Sequence, residues 1–331
     1  MDAASLTQAL YNAFCTNKPL DMKACSGVLN DYESAYTVQR KFAELKGEPT
    51  GGYKISLTSK TTQDMFGTTE PLFGEQTKSH IFAAPCTLEL DHMNEPLIEV
   101  ELSMIPKVDL TSSMSDEELL ENITVAGGIE VPDARFEAWF PTLNKYLVVA
   151  DCAVGGCIIH GTPVDGKTLT VAGLNAIRCE LFKDGKLIKA GNSTEVLDNP
   201  IHALKWLVAA LEKRGRQLKA GQVVSSGTFF VPPHLERGEY VARYTGTITE
   251  DVKLTVKLFA PEFEKSLRKL ECFRRLFHLR RMEYPAPKLH ASDPVGGFTS
   301  FVAAPAREEK HFSQEKRHGC PNDQETHEHA F

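Results

Sequence analysis

Two glutamates alternate with apolar residues in the segment 98–102, and their spacing could create a metal site. Glu99 and Glu101 are two residues apart, so on a strand they would share one face while their apolar neighbours face a core. Two adjacent carboxylates repel each other unless a cation or solvent lies between them. A hard divalent cation with oxygen ligands is the natural partner. The polar face of an edge strand has the same pattern, and from spacing alone it is the commoner explanation.

Glu130 is a third candidate ligand. It lies in the apolar segment 127–131, where an unpaired carboxylate is unfavourable, although a surface turn would look similar. Asp133 and Arg135 follow it closely, and we predict an ion pair between them.

Lys54 follows two glycines in a segment that alternates like a strand. A partly desolvated lysine near a metal has a lowered pKa and can act as an acid or a base. An ordinary lysine that keeps its amine in water is the simpler interpretation, and the residues alone favour it.

Composition and charge are those of an ordinary globular protein. The 331 residues are 42% hydrophobic and 24% charged, with a net charge of −7. A nucleic-acid-binding protein would usually have a basic face, so no nucleic-acid partner is expected. We find no signal peptide pattern and no segment of bilayer-spanning length, and no membrane contact is expected. The eight cysteines form no regular framework, which predicts reduced thiols and a cytoplasmic location.

Hydrophobic periodicity predicts the elements that would position these residues. Helices are predicted at 5–16, 32–46 and 115–122, and a further helix begins at Pro200 with Asn199 as its N-cap. Strands are predicted at 53–57, 97–105, 126–131, 223–226, 240–244 and 252–258, with a hairpin between 178–182 and 186–188. The pattern is that of an α+β protein with early helices and a β-rich body.

The predicted organisation has three parts. Residues 1–75 form a helical N-terminal part and residues 76–258 a mixed-β catalytic body. Residues 259–331 form an atypical tail, with a basic amphipathic helix at 264–284 and then a polar stretch that has too few apolar residues for a core.

Five segments in one order resemble a known enzyme group. The chain resembles the 2-keto-4-pentenoate hydratase, 2-oxohepta-4-ene-dioate hydratase and 4-oxalocrotonate decarboxylase group of the fumarylacetoacetate hydrolase-like superfamily over about residues 5–258. The resemblance implies a mixed-β roll with a helical N-terminal part. The segments are 52–60 (GYKISLTSK), 96–101 (PLIEVE), 129–135 (IEVPDAR), 199–207 (NPIHALKWL) and 218–228 (LKAGQVVSSGT).

The resemblance also implies a site. Mg²⁺ or Mn²⁺ would be held by Glu99, Glu101 and Glu130, and Lys54 matches the catalytic lysine of the group. The expected partners are a small 2-oxo or dienoic acid and further copies of the chain in a homo-oligomer. The residues expected to contact the substrate are Ser59, Lys60, Ser226 and Thr228.

The implied activity is that of a hydro-lyase. A hydratase of this group adds water to a 2-hydroxy-2,4-dienoate from meta-cleavage of aromatic compounds and forms a 4-hydroxy-2-oxo acid. Two alternatives stay open: a decarboxylase of a 2-oxo-hexenedioate, and a non-catalytic relative with a partner-binding tail. Members often carry an acid near the positions of Lys78 and Ser79, which this chain lacks.

Overall fold

Residues 1–258 are described by a computed structural model, in which helices come first and strands dominate the rest. The helix and the polar stretch predicted beyond residue 258 lie outside the described residues. No helix in this part of the chain is long and apolar enough to cross a membrane. The helices are α1 (Ala3–Thr16), α2 (Tyr32–Leu45), α3 (Lys60–Phe66), α4 (Asp116–Glu121), α5 (Lys145–Ala150), α6 (Val171–Leu174) and α7 (Pro200–Glu212).

The strands form two sheets, and the first carries the candidate ligands. The strands are β1 (Thr50–Ser56), β2 (Leu72–Thr77), β3 (Ile81–Ala83), β4 (Cys86–Glu89), β5 (Glu99–Pro106), β6 (Ile123–Val131), β7 (Cys157–His160), β8 (Val164–Asp165), β9 (Arg178–Lys183), β10 (Lys186–Asn192), β11 (Val223–Ser225), β12 (Gly238–Thr245) and β13 (Glu250–Lys257).

The first sheet is mixed. Its strand order is β2-β1-β11-β5-β6-β7-β3, with β8 also pairing with β6. The pairs β1–β11 and β3–β7 are parallel, and the others are antiparallel. This order places β1, which carries Lys54, only one strand away from the β5–β6 pair.

The second sheet supports the β5–β6 pair. Its order is β10-β9-β12-β13-β4, and it is antiparallel except for the last pair. Strand β6 packs against β12 and β13. Tyr244 of β12 places its hydroxyl oxygen 2.8 Å from the carbonyl oxygen of Glu101 and 2.5 Å from that of Gly128. This buried hydroxyl therefore joins the second sheet to the backbone beside the candidate ligands.

The long periodic elements agree with the sequence prediction. Helices α1 and α2 match the predicted bounds within two residues, and β9 and β10 form the predicted hairpin. Asn199 caps α7, since its Oδ1 accepts a hydrogen bond from the backbone N–H of Ile201 at 3.0 Å. Between residues 60 and 92 the structure has α3 and β2–β4, which were not predicted. Strand β2 is buried at every position, so it lacks the alternation that reveals a strand with one solvated face.

Gly74 on β2 permits a close approach of two backbone segments. A Cβ atom at this position would lie 1.8 Å from the carbonyl oxygen of Cys152, far inside van der Waals contact. We therefore expect Gly74→Ala to lower the free energy of unfolding by more than about 3 kcal/mol. Gly185→Ala is the control, because no atom of the described residues lies within 4 Å of its Cβ position, although its φ of +78° is left-handed and that of Gly74 is not. In urea unfolding, Gly185→Ala should lower the free energy of unfolding by only about 1–2 kcal/mol. An equal decrease in the two variants would contradict the steric explanation for Gly74.

Candidate active site

The register of β5 and β6 brings three carboxylates together. Glu99 lies directly opposite Glu130, and Glu101 lies opposite Gly128. One carboxylate oxygen from each glutamate lies within 4.8 Å of the other two. Glu101 and Glu130 are buried, and Glu99 is partly exposed. The β5 alternation predicted from the sequence therefore holds, and the carboxylates of Glu99, Glu101 and Glu130 form one cluster.

The cluster has buried oxygen atoms without hydrogen-bond partners. One oxygen of Glu101 accepts hydrogen bonds from the Ser225 hydroxyl at 2.6 Å and from the Gly227 backbone N–H at 2.7 Å. Among the described residues, the other Glu101 oxygen and Oε2 of Glu130 have no hydrogen-bond partner. Burial raises the pKa of Glu99 to about 7 and the pKa of Glu101 well above its usual range. Unsatisfied buried carboxylate oxygens at this spacing fit a divalent cation with oxygen ligands.

Lys54 is the cation that faces this cluster. Its side chain is 2% exposed, and its Nζ lies 2.6 Å from Glu130 Oε1, a close charge contact without hydrogen-bond geometry. Burial alone would lower the pKa of Lys54, but Glu130 first, then Glu99, outweigh it and raise the pKa above its ordinary value. The lysine is thus held as an ammonium. If all three carboxylates are ionised, the cluster together with the Lys54 ammonium carries a net charge of −2 (−3 + 1), which one divalent cation would balance.

A small cavity of about 40 Å³ lies beside Lys54 and Glu99. Thr228, Ser56 and Thr62 contribute the polar part of its wall. The remaining side chains are apolar or aromatic: Ile55, Leu57, Phe66, Leu97, Pro132, Trp139, Phe140, Val148, Val154 and Pro232. A site of this kind pairs a few charged groups with apolar walls, as binding sites for small molecules do.

Comparison with curated proteins gives the family. A 2-keto-4-pentenoate hydratase from Paraburkholderia phymatum is 30% identical over 203 residues, which cover 60% of this chain and 76% of that protein. The chain belongs to the 2-keto-4-pentenoate hydratase family. A second hydratase of this family, from Burkholderia vietnamiensis, is 31% identical over 209 residues, or 61% of this chain and 77% of that protein. No family model matches the chain.

Comparison with solved structures confirms the fold. The 4-oxalocrotonate decarboxylase from Pseudomonas putida G7, complexed with magnesium and adipate, has a TM-score of 0.70 and 21% identity. The match covers 77% of this chain and 97% of that protein. The shared fold confirms the predicted α+β architecture, in which helices pack on a mixed-β body.

The four residues predicted to contact substrate lie in different surroundings. Thr228 lines the cavity. Ser226 is buried but is not a lining residue, and its hydroxyl oxygen accepts from the Leu102 backbone N–H at 3.1 Å. Ser59 caps α3 by accepting from the Thr62 N–H at 3.2 Å. Lys60 pairs with an aspartate one turn along α3, and its side chain is 80% exposed. Substrate contact remains a prediction for all four.

The predicted ion pair between Asp133 and Arg135 is wrong. Arg135 pairs with Asp151 instead, with its Nε 2.5 Å from Oδ1, and its backbone N–H donates to the same carboxylate at 2.8 Å. The Asp133 carboxylate accepts from the backbone N–H groups of Asn94 and Glu95. The cause is that the C-terminal end of α5 brings Asp151 onto Arg135 from elsewhere in the chain, which sequence proximity does not reveal.

The aromatic side of the cavity was not predicted from the sequence. Phe66 lies at the end of α3, while Trp139 and Phe140 lie in a connection without regular structure. Neither segment has the periodicity that identifies a buried face, so only the pairing of distant segments brings them to Lys54. Lys78 and Ser79 do not line this cavity, and Glu99 is the only acidic residue among its described lining residues.

Ionisation of the cluster predicts a pH dependence. The pKa of Glu99 is about 7 in the fold, against 4.5 for an ordinary glutamate. Its charge therefore destabilises the fold above pH 7, and this cost disappears as the pH falls from 7 towards 4.5. Because protons compete with a cation for the carboxylates, we expect Mg²⁺ to raise the unfolding temperature more at pH 8.5 than at pH 5.5. Thermal unfolding with and without Mg²⁺ measures this, and an equal or larger shift at pH 5.5 would contradict it.

Proposed function

We propose that the protein is a metal-dependent hydratase, which adds water to a 2-hydroxy-2,4-dienoate and forms a 4-hydroxy-2-oxo acid. The observation that carries this proposal is the buried cluster of Glu99, Glu101 and Glu130 beside Lys54, in a chain of the hydratase family. The small cavity that adjoins the cluster supports a small organic acid as the substrate.

Glu99, Glu101 and Glu130 would hold the metal ion, Mg²⁺ or Mn²⁺. The unpartnered oxygens of Glu101 and Glu130 support this, as does the magnesium in the structure of the related decarboxylase. A divalent ion held by these three residues would supply Lewis-acid stabilisation of the enolate that forms from the 2-oxo acid. Ser225 would keep the Glu101 carboxylate in its orientation through the 2.6 Å hydrogen bond.

Lys54 would move the protons. In the dienol, the 2-hydroxyl proton leaves as the 2-oxo group forms, and a proton is added to the terminal carbon C5. The oxygen of one water then forms a bond to C4 and loses one of its protons, and a proton is added to C3, so that the product contains the substrate plus one water. Lys54 Nζ lines the cavity and is held as an ammonium by Glu130, which supports it as the acid in these transfers.

The apolar wall would keep bulk water away from the reacting atoms, since Leu97, Val154 and Pro232 line the cavity. Exclusion of water strengthens the interaction between the charged groups and the bound acid.

The direct test is an assay of dienoate loss in the ultraviolet with Mg²⁺ present. We expect turnover by the full chain, and loss of it in the Glu101→Gln variant. The assay should use several 2-hydroxy-2,4-dienoates. A rate no higher than that of Glu101→Gln with all of them would refute the proposal.

A decarboxylase of a 2-oxo-hexenedioate is the second candidate. It is favoured by the fold shared with 4-oxalocrotonate decarboxylase, and both reactions need stabilisation of an enolate, which the same cluster would supply. Measurement of CO₂ release alongside the hydration product distinguishes the two. Homo-oligomeric assembly and a cytoplasmic location remain predictions, which gel filtration and cell fractionation would test.

A further inference from the structure

We infer that the cavity beside Lys54 selects acids whose far end is apolar and rejects acids that end in a second carboxylate. This inference rests on the proposed function, since it assumes that the 2-oxo acid end binds at the carboxylate cluster. The far end of such an acid must then contact the walls that lie away from Glu99 and Lys54.

Three aromatic residues form part of this wall. The Phe66 and Phe140 rings have centroids 6.4 Å apart, and the Trp139 and Phe140 rings 5.5 Å apart. The only polar atom of Trp139, Nε1, donates to the carbonyl oxygen of Glu95 at 2.9 Å. This indole therefore has no free donor for a terminal carboxylate. The three aromatic side chains offer it apolar contact alone.

No described residue lining the cavity is a second cation. Lys54 is the only basic lining residue, and it already faces three carboxylates. Away from the aromatic residues, Leu57, Val148, Pro132 and other aliphatic or proline residues line the cavity, and the only uncharged polar side chains among the described lining residues, apart from the Trp139 indole, are the hydroxyls of Ser56, Thr62 and Thr228.

The basic residues closest in sequence to these walls have other partners. Lys60 is paired with Asp64 on an exposed face of α3. Lys145 at the start of α5 donates to the carbonyl oxygen of Gly67 at 2.6 Å. Arg135 donates to Asp151 and, at 2.8 Å, to the carbonyl oxygen of Gly155. A terminal carboxylate in this cavity would lose its hydration without gaining a charged partner, which is strongly unfavourable.

The test compares two unreactive acids of equal length. In the presence of Mg²⁺, 2-oxohexanoate ends in a methyl group and 2-oxoadipate ends in a carboxylate. Isothermal titration with the full chain should give a Kd at least about 30-fold lower for 2-oxohexanoate. Equal or tighter binding of 2-oxoadipate, or binding of neither acid, would overturn the inference.

Two variants test the aromatic wall itself. Phe140→Arg should add a cation and shift the preference at least about 10-fold towards 2-oxoadipate; Phe66→Arg is the second variant if thermal unfolding shows that the first does not fold. An unchanged preference in a folded variant would overturn the role of these residues.

The result is separate from that of the hydratase assay. Preferential binding of 2-oxohexanoate without turnover of any dienoate would refute the proposed reaction but support the selectivity. Turnover with a preference for the carboxylate-ended acid would refute the selectivity and favour a dicarboxylate substrate.

Discussion

Replacing Glu101 by glutamine is expected to abolish Mg²⁺ binding and, at the same time, to stabilise the metal-free protein. Glu101 is fully buried, and burial together with Glu130 and Glu99 raises its pKa well above the usual range. The negative charge of Glu101 therefore destabilises the metal-free fold, and its proposed role is to bind Mg²⁺. We expect a gain of about 1–3 kcal/mol in the free energy of unfolding at pH 8.

The amide also fits the local hydrogen bonding. Its oxygen can accept from Ser225 and Gly227, as one Glu101 oxygen does now. Its amino group can face Glu130 Oε2, which has no hydrogen-bond partner in the part of the chain that the structure describes. The loss of a ligand should lower kcat by about 10³-fold or more, because a bound Lewis acid contributes several kcal/mol to the stabilisation of the transition state. Isothermal titration, thermal unfolding and the dienoate assay measure the three effects.

Glu75→Gln is the matched control. Glu75 is also a buried glutamate of the same sheet, but it is paired with Arg216 at 2.6 Å. The same substitution should destabilise the protein, because it leaves the Arg216 guanidinium without its carboxylate partner, and should leave Mg²⁺ affinity unchanged. If Glu101→Gln destabilises the metal-free protein as Glu75→Gln does, the account of Glu101 as a strained ligand is wrong.

Replacing Lys54 by methionine is expected to separate catalysis from metal binding. Methionine is similar in length but carries no proton to transfer, so kcat should fall by about 10³-fold or more. Mg²⁺ affinity should be equal or higher, since the ammonium that neutralises part of the cluster is lost. Titration of Mg²⁺ and the dienoate assay measure this separation.

The same variant should need the metal for stability. Without Lys54, Glu130 loses the only cation that contacts it within residues 1–258, and the loss of one partner of a buried pair costs about 3–5 kcal/mol. Mg²⁺ should restore most of the lost unfolding temperature. Lys253→Met, at an exposed position of β13, is the control and should change none of these quantities. A loss of Mg²⁺ affinity in Lys54→Met as large as in Glu101→Gln would assign Lys54 to assembly of the site rather than to proton transfer.

Strand alternation was enough to predict that Glu99 and Glu101 share one face, because that depends only on neighbours in sequence. Strand alternation does not predict the position of Glu130, because its place opposite Glu99 follows from the β5–β6 register. Only the family resemblance implies from sequence that Glu130 belongs with the other two glutamates. The contact of Lys54 with Glu130 depends on the parallel pairing of β1 with β11. This pairing joins segments that are far apart in the chain.

The features missed from sequence have one physical cause. Two features are contacts between distant segments: the ion pair of Arg135 with Asp151, and the aromatic residues that line the cavity with Lys54. Hydrophobic periodicity within a single element predicts neither of them. The predicted ion pair of Asp133 with Arg135 used sequence proximity, and the fold satisfies Asp133 through backbone N–H groups instead. Local patterns thus predict which residues face inward, but not which partners they contact.

The most direct test of the central claim is the position of a bound divalent ion. Crystals of the full chain grown with Mn²⁺ and 2-oxohexanoate should show one anomalous difference peak about 2.1 Å from oxygens of Glu99, Glu101 and Glu130. The 2-oxo acid should lie against the ion, with its alkyl end towards Phe140 and with Lys54 beside the 2-oxygen. A fully occupied Mn²⁺ elsewhere, or no peak between the three carboxylates at millimolar Mn²⁺ and pH 8, would contradict the account.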